Sequence, residues 1–181
     1  MVKFIPQLLA CLTVLGELFI AGLGTLFLLE KFKLLELHKM VKKILSKNSY
    51  YFVFLISLFG ILGSLFFSDI VKLKPCALCW YQRILLYPQP ILLYIGILRS
   101  KKVLKPCLLV MNTLGAALGI YQYILQRFPS SLLSPCDASG VSCVKGYQFY
   151  LGYISIPLMA ATAFVLNIIF LAYAQDSRSS K

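Results

Sequence analysis

Two cysteines three residues apart, Cys76 and Cys79, sit in the string KPCALCWYQR, and Arg83 follows four residues after the second. A C-x-x-C pair can cycle between dithiol and disulfide, or supply half of a tetrahedral zinc site. Apolar sequence resumes directly after the pair, so Cys79 falls near the N-terminus of an apolar helix. Unpaired backbone N–H groups and the helix dipole favour negative charge there. Arg83 lies one turn on, on the same helix face as Cys79. Both features favour a thiolate at Cys79, the species that attacks disulfides. Arg83 also reads as an anchor at the lipid headgroups.

A second pair, Cys136 and Cys143, lies in RFPSSLLSPCDASGVSCVKGY. Pro129, Pro135, Gly140 and Gly146 punctuate this stretch and predict an irregular loop. The pair reads either as a redox loop that reaches a partner or as a structural staple of an outer loop. All four cysteines together would also make a Cys₄ zinc site, although C-x₆-C is wider than usual zinc spacing. Cys11 and Cys107 fall within apolar runs or at their edge and read as small hydrophobes.

These residues need a frame. The chain has 181 residues, 60% hydrophobic, with mean hydropathy +0.83. Soluble domains are roughly 45–50% apolar, so lipid is the expected solvent. The net charge of +12 would suggest nucleic acid in a soluble protein, but here the charges fall between apolar runs and mark membrane sidedness. Segments of about 20 apolar residues span a bilayer as helices. Five are expected, at about Phe4–Leu29, Tyr50–Val71, Cys79–Leu98, Pro106–Gln126 and Gln148–Tyr173. Of the 18 Lys and Arg, 12 fall in 30–48, 99–105 and the C-terminal tail. The positive-inside rule puts these in the cytoplasm and both cysteine pairs on the outer side.

The stretch EKFKLLELHKMVKKILSK has apolar residues at helical spacing and lysines on the other face, which predicts a basic interfacial helix. The first span lacks a small-residue cleavage site and reads as an uncleaved extra helix, with Met40 as a possible alternative start. Glu17 lies mid-span and pairs with a neighbouring helix or faces a cavity. Pro88 and Pro90 should kink or break the third span, and Pro157 is expected to bend the fifth.

CALCWYQR, a later outward cysteine pair and the closing run GYISIPLMAATAF together resemble the DsbB family of membrane thiol–disulfide oxidoreductases, in its Gram-positive-type, BdbC-like branch. The resemblance covers about residues 45–175. It implies an all-α membrane protein: a four-helix transmembrane bundle over 45–175, preceded by the extra helix and basic segment at 1–44 and followed by a cytoplasmic tail at 176–181. It also implies disulfides Cys76–Cys79 and Cys136–Cys143, and a bacterial plasma-membrane location. The implied partner is a thioredoxin-like extracytoplasmic thiol oxidase, DsbA- or BdbD-like, and the implied cofactor is ubiquinone or menaquinone. In that scheme the partner attacks Cys136, Cys143 exchanges with Cys76, Cys79 faces the quinone, and Arg83 holds its carbonyl edge. Two features depart from the enterobacterial pattern. Gln82 stands where those proteins carry an acid, and the second pair is close-spaced. The single histidine, His38, lies on the expected cytoplasmic side, leaving Gln82, Tyr81 and Gln122 as polar neighbours of the dithiol. A vitamin-K-epoxide-reductase-like arrangement fits less well, because its C-x-x-C comes late in the chain.

Overall fold

The computed structural model describes residues 4–30, 35–98, 101–128 and 149–174. Cys136 and Cys143 lie outside the described residues, as does the 176–181 tail. The described chain is helical: α1 (Phe4–Glu30), α2 (Leu35–Leu65), α3 (Ala77–Leu86), α4 (Pro88–Leu98), α5 (Lys101–Arg127) and α6 (Ile156–Tyr173). A π-helical turn, Phe66–Ile70, ends α2, and one isolated bridge joins Tyr150 to Ile154.

Four of these helices carry stretches long and apolar enough to cross a membrane: Ile5–Thr25, Asn48–Ile70, Leu104–Arg127 and Ile156–Tyr173. The remaining passage is divided. α3 ends at Leu86 and α4 begins at Pro88, with Tyr87 between them. Pro88 and Pro90 cannot donate to a continuing ladder, so the expected break falls where their N–H groups are missing. The two pieces together are long enough, at about 33 Å, for one crossing.

The basic segment is helical from Leu35, as its spacing predicts, and it runs without interruption into the second span. This 31-residue helix is about 46 Å long. It therefore exceeds the ~30 Å hydrocarbon layer, and its lysine-rich first turns continue the span beyond the apolar zone.

α6 packs against α5 and α2, α3 packs against α5, and α1 lies against α6 and α2. Small residues allow the closest approach. Gly115 faces Phe164, where an added Cβ would lie 2.5 Å from the ring, and Gly119 faces the backbone of Pro157 and Ala161. The two glycines are four residues apart on one face of α5. That spacing lets helices touch in lipid, where packing rather than water exclusion drives association.

A polar layer crosses the bundle. Ser57 of α2, Gln89 of α4, Asn112 of α5 and Asn167 of α6 are all fully buried. Gln89 Oε1 accepts from Asn112 Nδ2 at 3.1 Å and from Ser57 Oγ at 3.3 Å. Asn167 Nδ2 donates to Ser57 Oγ and to Asn112 Oδ1, each at 3.1 Å. One side chain from each of four helices thus fixes their mutual height, because slipping any helix by a turn strands its amide in an apolar layer.

Gln89→Leu removes the shared acceptor: the buried Ser57 hydroxyl loses its acceptor and Asn112 Nδ2 keeps only the Leu108 carbonyl. It should destabilise the fold by about 1–2 kcal/mol, read as a lower unfolding midpoint in detergent. A midpoint at or above that of the unaltered protein would show that the layer does not hold the helices together.

Candidate functional site

The link 71–76 turns sharply after the π-helical turn, with Lys72 in the left-handed region at φ 61°. It delivers Cys76 to the N-cap of α3 in an extended conformation. Cys79 is then the third helical residue, in the first turn where the sequence places it. The two sulfurs lie 3.2 Å apart, the arrangement of a dithiol whose closure to a disulfide needs approach to about 2.05 Å. Cys76 is fully buried, whereas Cys79 is partly exposed.

Gln122 of α5 organises the pair. It is fully buried, and its Nε2 donates to Cys76 Sγ at 3.2 Å and to Cys79 Sγ at 3.3 Å. Gln82, one turn below Cys79, donates from Nε2 to Gln122 Oε1 at 2.8 Å. That bond fixes which end of the Gln122 amide faces the sulfurs. Both sulfurs therefore accept from one amide, which holds them side by side. Leu78 and Leu125 are buried beside Cys76 and keep water from this side of the cluster.

Arg83 is placed differently from the sequence expectation. It lies on the Cys79 face, but its guanidinium is drawn to α2, where Nε donates to Ser64 Oγ at 2.8 Å and Nη2 to the Ser64 carbonyl at 3.1 Å. It also lies over the Trp80 ring, 5.4 Å from the centroid. The polar neighbours of Cys79 are Cys76 and Gln122. Tyr87 Oη donates to Ser64 Oγ at 3.4 Å and completes this second polar point.

Cys79, Arg83, Ser64, Gln82 and Gln122 all line one cavity of about 380 Å³. Its other walls come from α1, α2, α6 and the link before α3; they are mostly apolar, with Lys74, Thr13 and Thr162 also on the lining. The Tyr87 break adds nothing to it: α3 lines the cavity and α4 does not. Tyr81 is exposed and away from it, while Gln82 and Gln122 are part of it. Ser64 carried no signal in the sequence, since one serine in an apolar run is unremarkable until its partner is known. Among the described residues no three His, Cys, Asp or Glu side chains converge on a metal position. Cys11 and Cys107 are exposed on the helix surface, where in lipid a small hydrophobe meets acyl chains.

Residues 46–174 match the family described as Disulfide bond formation protein DsbB. Disulfide bond formation protein C of Bacillus subtilis is 40% identical over 137 residues, 74% of this chain and 99% of that protein. SPbeta prophage-derived disulfide bond formation protein B of the same organism is 43% identical over 120 residues, 66% of this chain and 80% of that protein. Probable disulfide formation protein C of Halalkalibacterium halodurans is 39% identical over 116 residues, 64% of this chain and 84% of that protein. No solved structure matches the chain. With its apolar spans, its helical bundle and a dithiol at one end of that bundle, the chain belongs to the DsbB family of disulfide bond formation proteins and is a multi-pass membrane protein.

Proposed function

We propose that the protein is a dithiol:quinone oxidoreductase that reoxidises an extracytoplasmic, thioredoxin-like thiol oxidase. The observation that carries this reading is the cavity that holds Cys79, Gln122, Arg83 and Lys74 at one end and mostly apolar side chains along the rest. Such a cavity suits an amphiphile with a polar head and a hydrocarbon tail. A lipid quinone has that form, and when bound it supplies an acceptor for two electrons and two protons. Cys79 would face its ring, and Arg83 would donate to a carbonyl edge.

The thiol steps balance as exchanges. A partner thiolate bonds to Cys136 Sγ as the Cys136–Cys143 bond breaks, and the partner's second thiolate then displaces Cys136 and leaves oxidised. The Cys143 thiolate next attacks Cys76 Sγ, freeing Cys79 as thiolate. Cys136 displaces Cys76 from Cys143, restoring the outer disulfide. The net reaction is partner dithiol plus quinone giving partner disulfide plus quinol. Direction follows from potentials: for this two-electron couple, about 30 mV shifts the equilibrium by 1.4 kcal/mol. Cys79 borders the cavity, which supports its place at the quinone end of the relay.

The zinc reading of the four cysteines predicts metal in the purified protein and no turnover. The redox reading predicts quinone reduction driven by a reduced thioredoxin-like dithiol protein. Cys79→Ser should lower that turnover at least about a hundredfold, the loss of an essential nucleophile, while a partner variant lacking its second thiol is still captured at Cys136. Undiminished turnover by Cys79→Ser would refute the assignment. Sidedness is read separately: a membrane-impermeant maleimide added to intact cells should label the reduced outer cysteines in a variant keeping only Cys136 and Cys143. Labelling only after the membrane is opened would reverse the proposed topology.

A further inference from the structure

The family match begins at residue 46, so α1 is an addition to the shared unit. Yet α1 does not stand apart. Leu9, Leu12 and Thr13 line the same cavity as Cys79 and Arg83. On α2 and the π-helical turn that ends it the lining runs from Phe67 down to Ile56, and on α6 from Ile156 to Leu166. At 1.5 Å per residue each wall is about 15 Å long, so the cavity is a slot along the bundle axis. Its charged, amide and thiol groups gather at the α3 end, Thr13 and Thr162 lie along the walls, and Ile56, Phe59 and Leu166 mark the apolar end.

α1 lies across the seam between α2 and α6. Leu9 rests on the face of Gly63, 3.6 Å from where a Cβ would be, and Gly16 lies close to Leu166 and Thr162. Phe19 stacks on Phe170 with centroids 5.9 Å apart. Tyr153 Oη donates to Glu17 at 2.8 Å, which ties the mid-span carboxylate to the segment before α6. Thr13 is buried at 7% exposure, while Leu12 remains 49% exposed. One residue therefore faces into the slot and its neighbour lies at the boundary with lipid.

We propose that α1 is the lipid-side wall of the quinone pocket and that Leu9, Leu12 and Thr13 determine which hydrocarbon tail the slot accepts. The inference rests on the quinone reading above. Without these three side chains the slot between α2 and α6 would open directly to acyl chains, and lipid would compete for the tail's position. With them, the tail is held between α1, α2 and α6 and leaves past Leu12.

The test uses the full-length protein in lipid nanodiscs and a quinone carrying a photoreactive diazirine partway along its tail. After irradiation, mass spectrometry should find label on the segment 9–13, lost when unmodified long-tailed quinone is added in excess. Competable label confined to α2–α6 would overturn the wall. Thr13→Phe, which fills the slot, should raise KM for a long-tailed quinone by about tenfold and leave KM for a short-tailed quinone nearly unchanged. Equal effects on both quinones, or none, would also overturn it. If the unaltered protein neither reduces quinone nor takes competable label anywhere, the quinone reading itself fails and the wall with it. Quinone reduction without label on α1 rejects the wall alone.

Discussion

The contact on which the rest depends is the Gln122 amide between two sulfurs. It requires the first turn of α3 to lie against the C-terminal part of α5 within a few tenths of an ångström. A backbone amide could not be placed there, because α5 is already hydrogen-bonded within itself. A charged donor would carry a desolvation cost in this buried position. A neutral amide, oriented by Gln82, gives directional N–H donation at low cost. The geometry is then passed down the bundle. α5 is held close to α6 by Gly115 and Gly119, and the layer of Ser57, Gln89, Asn112 and Asn167 sets the height of each helix. The dithiol end is precise because the layers beneath it cannot slide.

The structure separates two tasks within a single turn of α3. Cys79 takes its polar contacts from Gln122 on one side, and Arg83 takes its contacts from Ser64 on the other. The guanidinium is thus anchored at one wall of the cavity while the sulfur lies at another. A direct Arg83–Cys79 pair would occupy both groups with each other. Held apart, both remain on the lining of the cavity, which is the arrangement a two-ended head group requires.

Much of this was legible from residue types. Apolar runs gave the spans, Pro88 and Pro90 gave the break in the third, and CALCWYQR pointed to the cysteine-bearing first turn of α3 and identified the family. Gln122 was readable as a polar neighbour of the dithiol, but its bonds to both sulfurs were not. Ser57, Gln89, Asn112 and Asn167 were legible in the same limited way, since a lone amide in a lipid span must find a partner, but sequence spacing does not say which. The direction of Arg83 was not legible, because i+4 spacing fixes a face and leaves a long side chain free to choose between two neighbours. The union of the basic segment with the second span was missed because amphipathic spacing reports helix and is silent on continuity. The place of α1 over the slot depends on Gly16 and Gly63, whose meaning appears only when their neighbours are known.

The central claim is that a dithiol held by Gln122 delivers its electrons to a quinone in the adjoining cavity. The most direct measurement is an anaerobic single turnover: fully reduced purified protein, without any partner, mixed with quinone and followed by quinone absorbance and by alkylation of remaining thiols. The account predicts quinone loss coupled to protection of Cys76 and Cys79 from alkylation, slowed about tenfold in Gln122→Leu, as for loss of one hydrogen bond to a charged group. No quinone loss, or a Gln122→Leu rate equal to that of the unaltered protein, would contradict it.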